Sequence, residues 1–133
     1  MDNSIKGENT YLLLEIIQTG DEIALESYNE YILGRKNPIT FYDTNDMSPV
    51  EQYDVDLSPF QSYEAGVSRR HASLSFGRDR VTITDLDSTN GTRLNGEIIQ
   101  PFAPQDLQSG DFITLGKFKI KILIHTKINS SAA

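Results

Sequence analysis

The sequence predicts an all-β fold, an antiparallel β-sandwich, on three observations. The apolar stretches are short and rich in β-branched residues, and several alternate strictly with polar ones, as in Val81-Thr82-Ile83-Thr84 and Ile120-Lys121-Ile122. Glycine-bearing turns bound them at Thr19-Gly20-Asp21, Asn90-Gly91, Asn95-Gly96 and Ser109-Gly110-Asp111, where tight turns need positive φ. No segment carries a sustained apolar stripe at helical spacing.

The elements follow in order. Residues 1–10 are polar and read as a flexible N-terminal tail. Strands are expected at residues 11–17, 22–26 and 31–33, then at 72–76, 81–85, 112–115 and 119–124. Residues 126–133 read as a flexible C-terminal tail, which leaves one domain over residues 11–125. An insert at about residues 37–66 interrupts the rhythm. Residues 37–67 hold six acidic residues, no Lys or Arg, and five of the twelve aromatics, namely Phe41, Tyr42, Tyr53, Phe60 and Tyr63. Solvated loops rarely carry that much apolar surface, so the insert is expected to be ordered, with a short strand near residues 54–57.

Composition narrows the function classes. A chain of 133 residues, 38% hydrophobic, has room for one compact core. There are no cysteines, so disulfides and thiolate metal sites are excluded. The first ten residues lack the apolar core of a signal peptide, and no apolar run approaches the ~20 residues that span a bilayer. A cytoplasmic protein is the expectation. The formal net charge of −7 opposes binding to nucleic acid or to an anionic membrane, so any bound anion must be held locally.

Three clusters pair turn-forming residues with groups that hold an anion: Gly34-Arg35, Ser68-Arg69-Arg70-His71 and Ser88-Thr89-Asn90-Gly91-Thr92. Each sits at the end of an expected strand. Loops gather at the ends of a sandwich, so three clusters distant in sequence can meet there. A phosphate monoester calls for a guanidinium plus hydroxyl or backbone donors, and these loops supply both.

In this order, and followed by Asn95-Gly96 and Leu107-x-x-Gly110-Asp111-x-Ile113-x-Leu115-Gly116, the clusters resemble the signature of forkhead-associated (FHA) domains, over about residues 11–125. The resemblance implies a sandwich of about eleven strands that binds phosphothreonine in preference to phosphoserine. It implies that Arg35 contacts the phosphate, Ser68 donates its hydroxyl to it, and Arg69 adds donors. Thr89 would line the phosphate site beside the threonine methyl, and Asn90 would hydrogen-bond the peptide backbone just beyond it. Gly34, His71 and Gly91 would support the site structurally. Some relatives read the third residue beyond the phosphothreonine with a side chain at the position of Gly66, which here has none.

The implied partner is a threonine-phosphorylated protein or peptide, with no cofactor and no metal. The acidic insert would favour peptides with basic flanks. Self-association through a phosphorylated tail is a further reading, with Thr10, Thr44 and Thr126 as candidate marks. A degenerate scaffold that binds partners without phosphate is the alternative function. Catalysis has little support: Ser68 and His71 lack a nucleophile elbow and a third, orienting group. Two histidines without cysteine argue against a catalytic zinc. Asp43-Thr44-Asn45-Asp46 starts like a calcium loop, but Met47 breaks the pattern and the required glycine is missing.

Overall fold

The computed structural model describes residues 10–35 and 54–126. Among them lie eleven strands in two sheets and one 3-10 turn, Ser58–Phe60. The strands are β1 (Thr10–Ile16), β2 (Glu22–Leu25), β3 (Asn29–Gly34), β4 (Asp54–Asp56), β5 (Ala72–Phe76) and β6 (Val81–Asp85). Then come β7 (Thr92–Leu94), β8 (Glu97–Ile98), β9 (Gln105–Asp106), β10 (Phe112–Leu115) and β11 (Phe118–Thr126). One sheet runs in the order β2-β1-β11-β10-β7-β8, the other β4-β3-β5-β6-β9. The expected sandwich is therefore present.

Alternation builds the core. Leu12, Leu14 and Ile16 of β1 face inward with Phe118, Ile120 and Ile122 of β11, while Leu33, Leu74 and Ile83 line the opposing sheet, all wholly buried. Each side chain removed from water contributes on the order of 1.5–3 kcal/mol, which is what holds the two sheets face to face. Asn95 (φ 51°) and Gly96 (φ 92°) both lie in the left-handed region, as a type I′ turn requires, and close the β7–β8 hairpin.

The structure departs from the sequence reading in three places. β3 and β4 pair in parallel, whereas the remaining strand pairs of both sheets are antiparallel. A parallel pair needs a long crossover, and the connection between Gly34 and Asp54 supplies it. The two- and three-residue strands β7, β8 and β9 were too short to show a period. Thr10 and Thr126, expected in the tails, pair with each other at the outer end of the β1–β11 ladder. Thr44, with Phe41, Tyr42 and Tyr53 of the insert, lies outside the described residues. No helix among the described residues is long and apolar enough to cross a membrane.

Candidate functional site

The three clusters singled out in the sequence meet at one end of the sandwich. Arg35 leaves β3 with its backbone N–H donating to Ser68 O (3.2 Å), and its side chain turns back so that Nε donates to Val67 O (2.7 Å). The guanidinium carbon sits 4.8 Å from the centroid of the Tyr63 ring, within cation–π range. The terminal Nη groups have no hydrogen-bond partner among the described residues, so both NH2 groups of a fixed fork stay open to an anion.

Gly34 makes this approach geometrically feasible. A Cβ there would stand 1.8 Å from Arg69 O, so only glycine lets β3 pass this close to the loop at residues 68–70.

Ser68 joins the second loop to the third. Its Oγ accepts the N–H of Thr89 (3.1 Å), which leaves the hydroxyl hydrogen able to donate outward. Asn90, exposed at the loop tip, donates from Nδ2 to Gly66 O (2.9 Å). Among the described residues its second amide hydrogen and Oδ1 have no partner. Gly66 acquires its reason here: its φ is +84°, and a Cβ would lie 2.7 Å from Asn90 Nδ2. The missing side chain at position 66 makes room for Asn90. Arg69, Arg70 and Thr89 are exposed around this centre.

Beneath the loops lies His71, wholly buried. Ser68 N–H donates to its Nδ1 (3.0 Å), so the ring proton is on Nε2, which donates to Gly91 O (2.9 Å). One imidazole thus ties the second loop to the third. Burial pushes its pKa down, against the opposing influence of Gly91 O and Asp85. With both nitrogens engaged, His71 has none left to activate the Ser68 hydroxyl, which further weakens a catalytic reading.

Asp85 is the bracing residue that sequence reasoning missed. Buried at the end of β6, it accepts the hydroxyls of Ser88 and Thr92 (2.6 Å each) and the Ser88 N–H (3.2 Å). Ser88 Oγ in turn accepts the Gly91 N–H (3.0 Å). Burial alone would raise the Asp85 pKa, but these donors hold the carboxyl below its usual value. The signal was available: an Asp three residues before a Ser, at a strand-to-turn junction, is the spacing of a side-chain-capped turn.

Next to Asn90 opens a pocket of about 560 Å³, lined also by Glu64, Ala65, Gly66, Arg93, Gly116 and Lys117. Its walls are stitched by Lys117 N–H to Ala65 O (2.8 Å) and Gly116 N–H to Gly91 O (3.0 Å). The site is therefore a rigid set of loops with donors facing outward.

A model of the FHA domain matches residues 31–116, spanning all three clusters. The chain belongs to the FHA domain family. Its curated relatives include the FHA domain-containing protein FhaA of Mycobacterium tuberculosis, 36% identical over 66 residues, half of this chain. Another is the oxoglutarate dehydrogenase inhibitor of Corynebacterium efficiens, 42% identical over 57 residues, 43% of this chain. The chain spans 12% and 38% of the lengths of these two proteins. Among solved structures, one from a study of phosphothreonine-dependent FHA domain interactions superposes with a TM-score of 0.63 at 25% identity, covering 88% of this chain and 99% of that one. FHA domains are interaction modules rather than enzymes, and the FHA resemblance and sandwich expected from the motifs both hold.

Proposed function

We propose that this FHA domain binds a phosphorylated threonine on a partner protein. One observation carries the reading: three loops separated by more than thirty and by about twenty residues are laced by hydrogen bonds, and at their tips the Arg35 Nη groups, the Ser68 hydroxyl hydrogen and one Asn90 amide hydrogen have no partner among the described residues. Arg35 would take two phosphate oxygens bidentately, Ser68 a third, and Asn90 the peptide backbone beyond. Arg69 would add donors at the rim and Thr89 would border the threonine methyl. Gly34, His71 and Gly91 act beneath, as the frame. The similarity to a solved domain from a study of phosphothreonine-dependent interactions supports the same chemistry.

Charge-assisted hydrogen bonds contribute roughly 1.5–3 kcal/mol each. A few of them, less the cost of association, give about micromolar affinity, or roughly −8 kcal/mol. A methyl-sized niche adds only about 0.8 kcal/mol, so a strong preference for phosphothreonine over phosphoserine would need rotamer strain in the serine as well.

The test is calorimetric titration of the wild type and Arg35→Ala with a degenerate phosphothreonine peptide pool, its phosphoserine counterpart and its unphosphorylated counterpart. Binding confined to phosphopeptides, with a loss of about 2–5 kcal/mol in the mutant, is expected. Equal binding by the mutant, or by unphosphorylated peptide, would move the function to phosphate-independent scaffolding.

A further inference from the structure

We infer that Tyr63 is a positioning residue of the phosphate site, its ring holding the Arg35 guanidinium in the orientation that receives the anion. The inference rests on the phosphothreonine reading above and names a residue that the motifs of that reading do not contain.

Arg35 is restrained from three directions. Its backbone N–H is tied to Ser68 O, its Nε to Val67 O, and one face of its guanidinium lies 4.8 Å from the Tyr63 ring centroid. Tyr63 is 71% exposed, yet it stands on a braced turn. Val67 N–H donates to Ser62 O (3.0 Å), Gly66 N–H to Tyr63 O (3.0 Å), and Lys117 N–H to Ala65 O (2.8 Å), while Ser62 itself is wholly buried. The ring is thus delivered to the arginine by fixed backbone.

An arginine loses rotamer freedom when it clamps a phosphate, and one already held by Nε and by one face has less to lose. The ring also takes water away from that face, which strengthens the charge the Nη edge presents. Loss of a partly exposed cation–π contact corresponds to about a two- to five-fold weakening of binding. What acts is the π face, so phenylalanine should serve and leucine should not.

Two measurements test this together. In the free protein, NMR of the Arg35 side chain should show ring-current displacement of its Hδ and Hε resonances in the wild type and Tyr63→Phe, and its loss in Tyr63→Leu. In titrations with the phosphothreonine pool, Tyr63→Phe should match the wild type and Tyr63→Leu should bind about two- to five-fold more weakly. With Arg35→Ala as background, Tyr63→Leu should change nothing further. Wild-type binding that Tyr63→Leu leaves intact overturns this inference alone, as does an equal loss in Tyr63→Phe, which would assign the effect to the hydroxyl. A wild type that binds no phosphopeptide overturns the phosphothreonine reading, and this inference with it.

Discussion

Replacing His71 with alanine should both destabilise the domain and loosen its binding loops. The substitution removes the acceptor of Ser68 N–H and the donor to Gly91 O, at roughly 1 kcal/mol each, and empties a wholly buried ring position. The unfilled volume adds about 1–2 kcal/mol, for a total of about 3–4 kcal/mol. Urea unfolding followed by far-UV circular dichroism suits a chain with no tryptophan. With a slope of about 2 kcal/mol/M, the midpoint should fall by about 1.5–2 M. The pH dependence supplies a second, independent reading. Burial holds the His71 pKa below its ordinary value of about 6.5, so the folded state takes up this proton less readily than the unfolded chain. Its contribution is fully present above about pH 6.5 and declines as pH falls from there towards the folded pKa. Protonation would put a hydrogen on Nδ1, which now accepts from Ser68, and so would open the joint between the loops. The wild type should lose stability below about pH 6.5, and His71→Ala should show a flatter profile across the same interval. A midpoint shift smaller than about 0.5 M, or identical pH profiles, would refute the clamp.

Three further outcomes are expected. Asp85→Ala leaves the buried Thr92 hydroxyl and two groups of Ser88 without their acceptor, and should cost about 3–5 kcal/mol in urea unfolding. Because the Asp85 pKa is depressed, its contribution is present above about pH 3.9 and lost as pH falls through the folded value, so acid titration of this variant should lack that step. Gly34→Ala forces a methyl to 1.8 Å from Arg69 O; a loss of about 1–3 kcal/mol or more, seen as a Tm lowered by several degrees, should result, and an unchanged Tm would mean that β3 can yield there. Ser62→Ala should be neutral or slightly stabilising by the same measurement, because the buried Ser62 Oγ has no hydrogen-bond partner among the described residues.

Sequence determined the parts of this protein that depend on local pattern. β5, β6 and β10 match the expected strands residue for residue, since alternation and turn glycines are read within a few positions. Arg35, Ser68, Thr89 and Asn90 were legible for the same reason: each cluster is contiguous, and their order along the chain carries the family. What only the tertiary structure decided are relations between distant residues. Sequence singled out Gly66 as a missing side chain, and its meaning appeared only with Asn90 lying over it, 24 positions away. Tyr63 was one aromatic among five until the turn at residues 61–66 set its ring against Arg35. The parallel direction of β4 was likewise invisible, because three residues show an alternation but not which edge they join. Period and turn chemistry are written in neighbouring residues, whereas contacts across loops are set by how two sheets pack, and the packing exists only once the chain has folded.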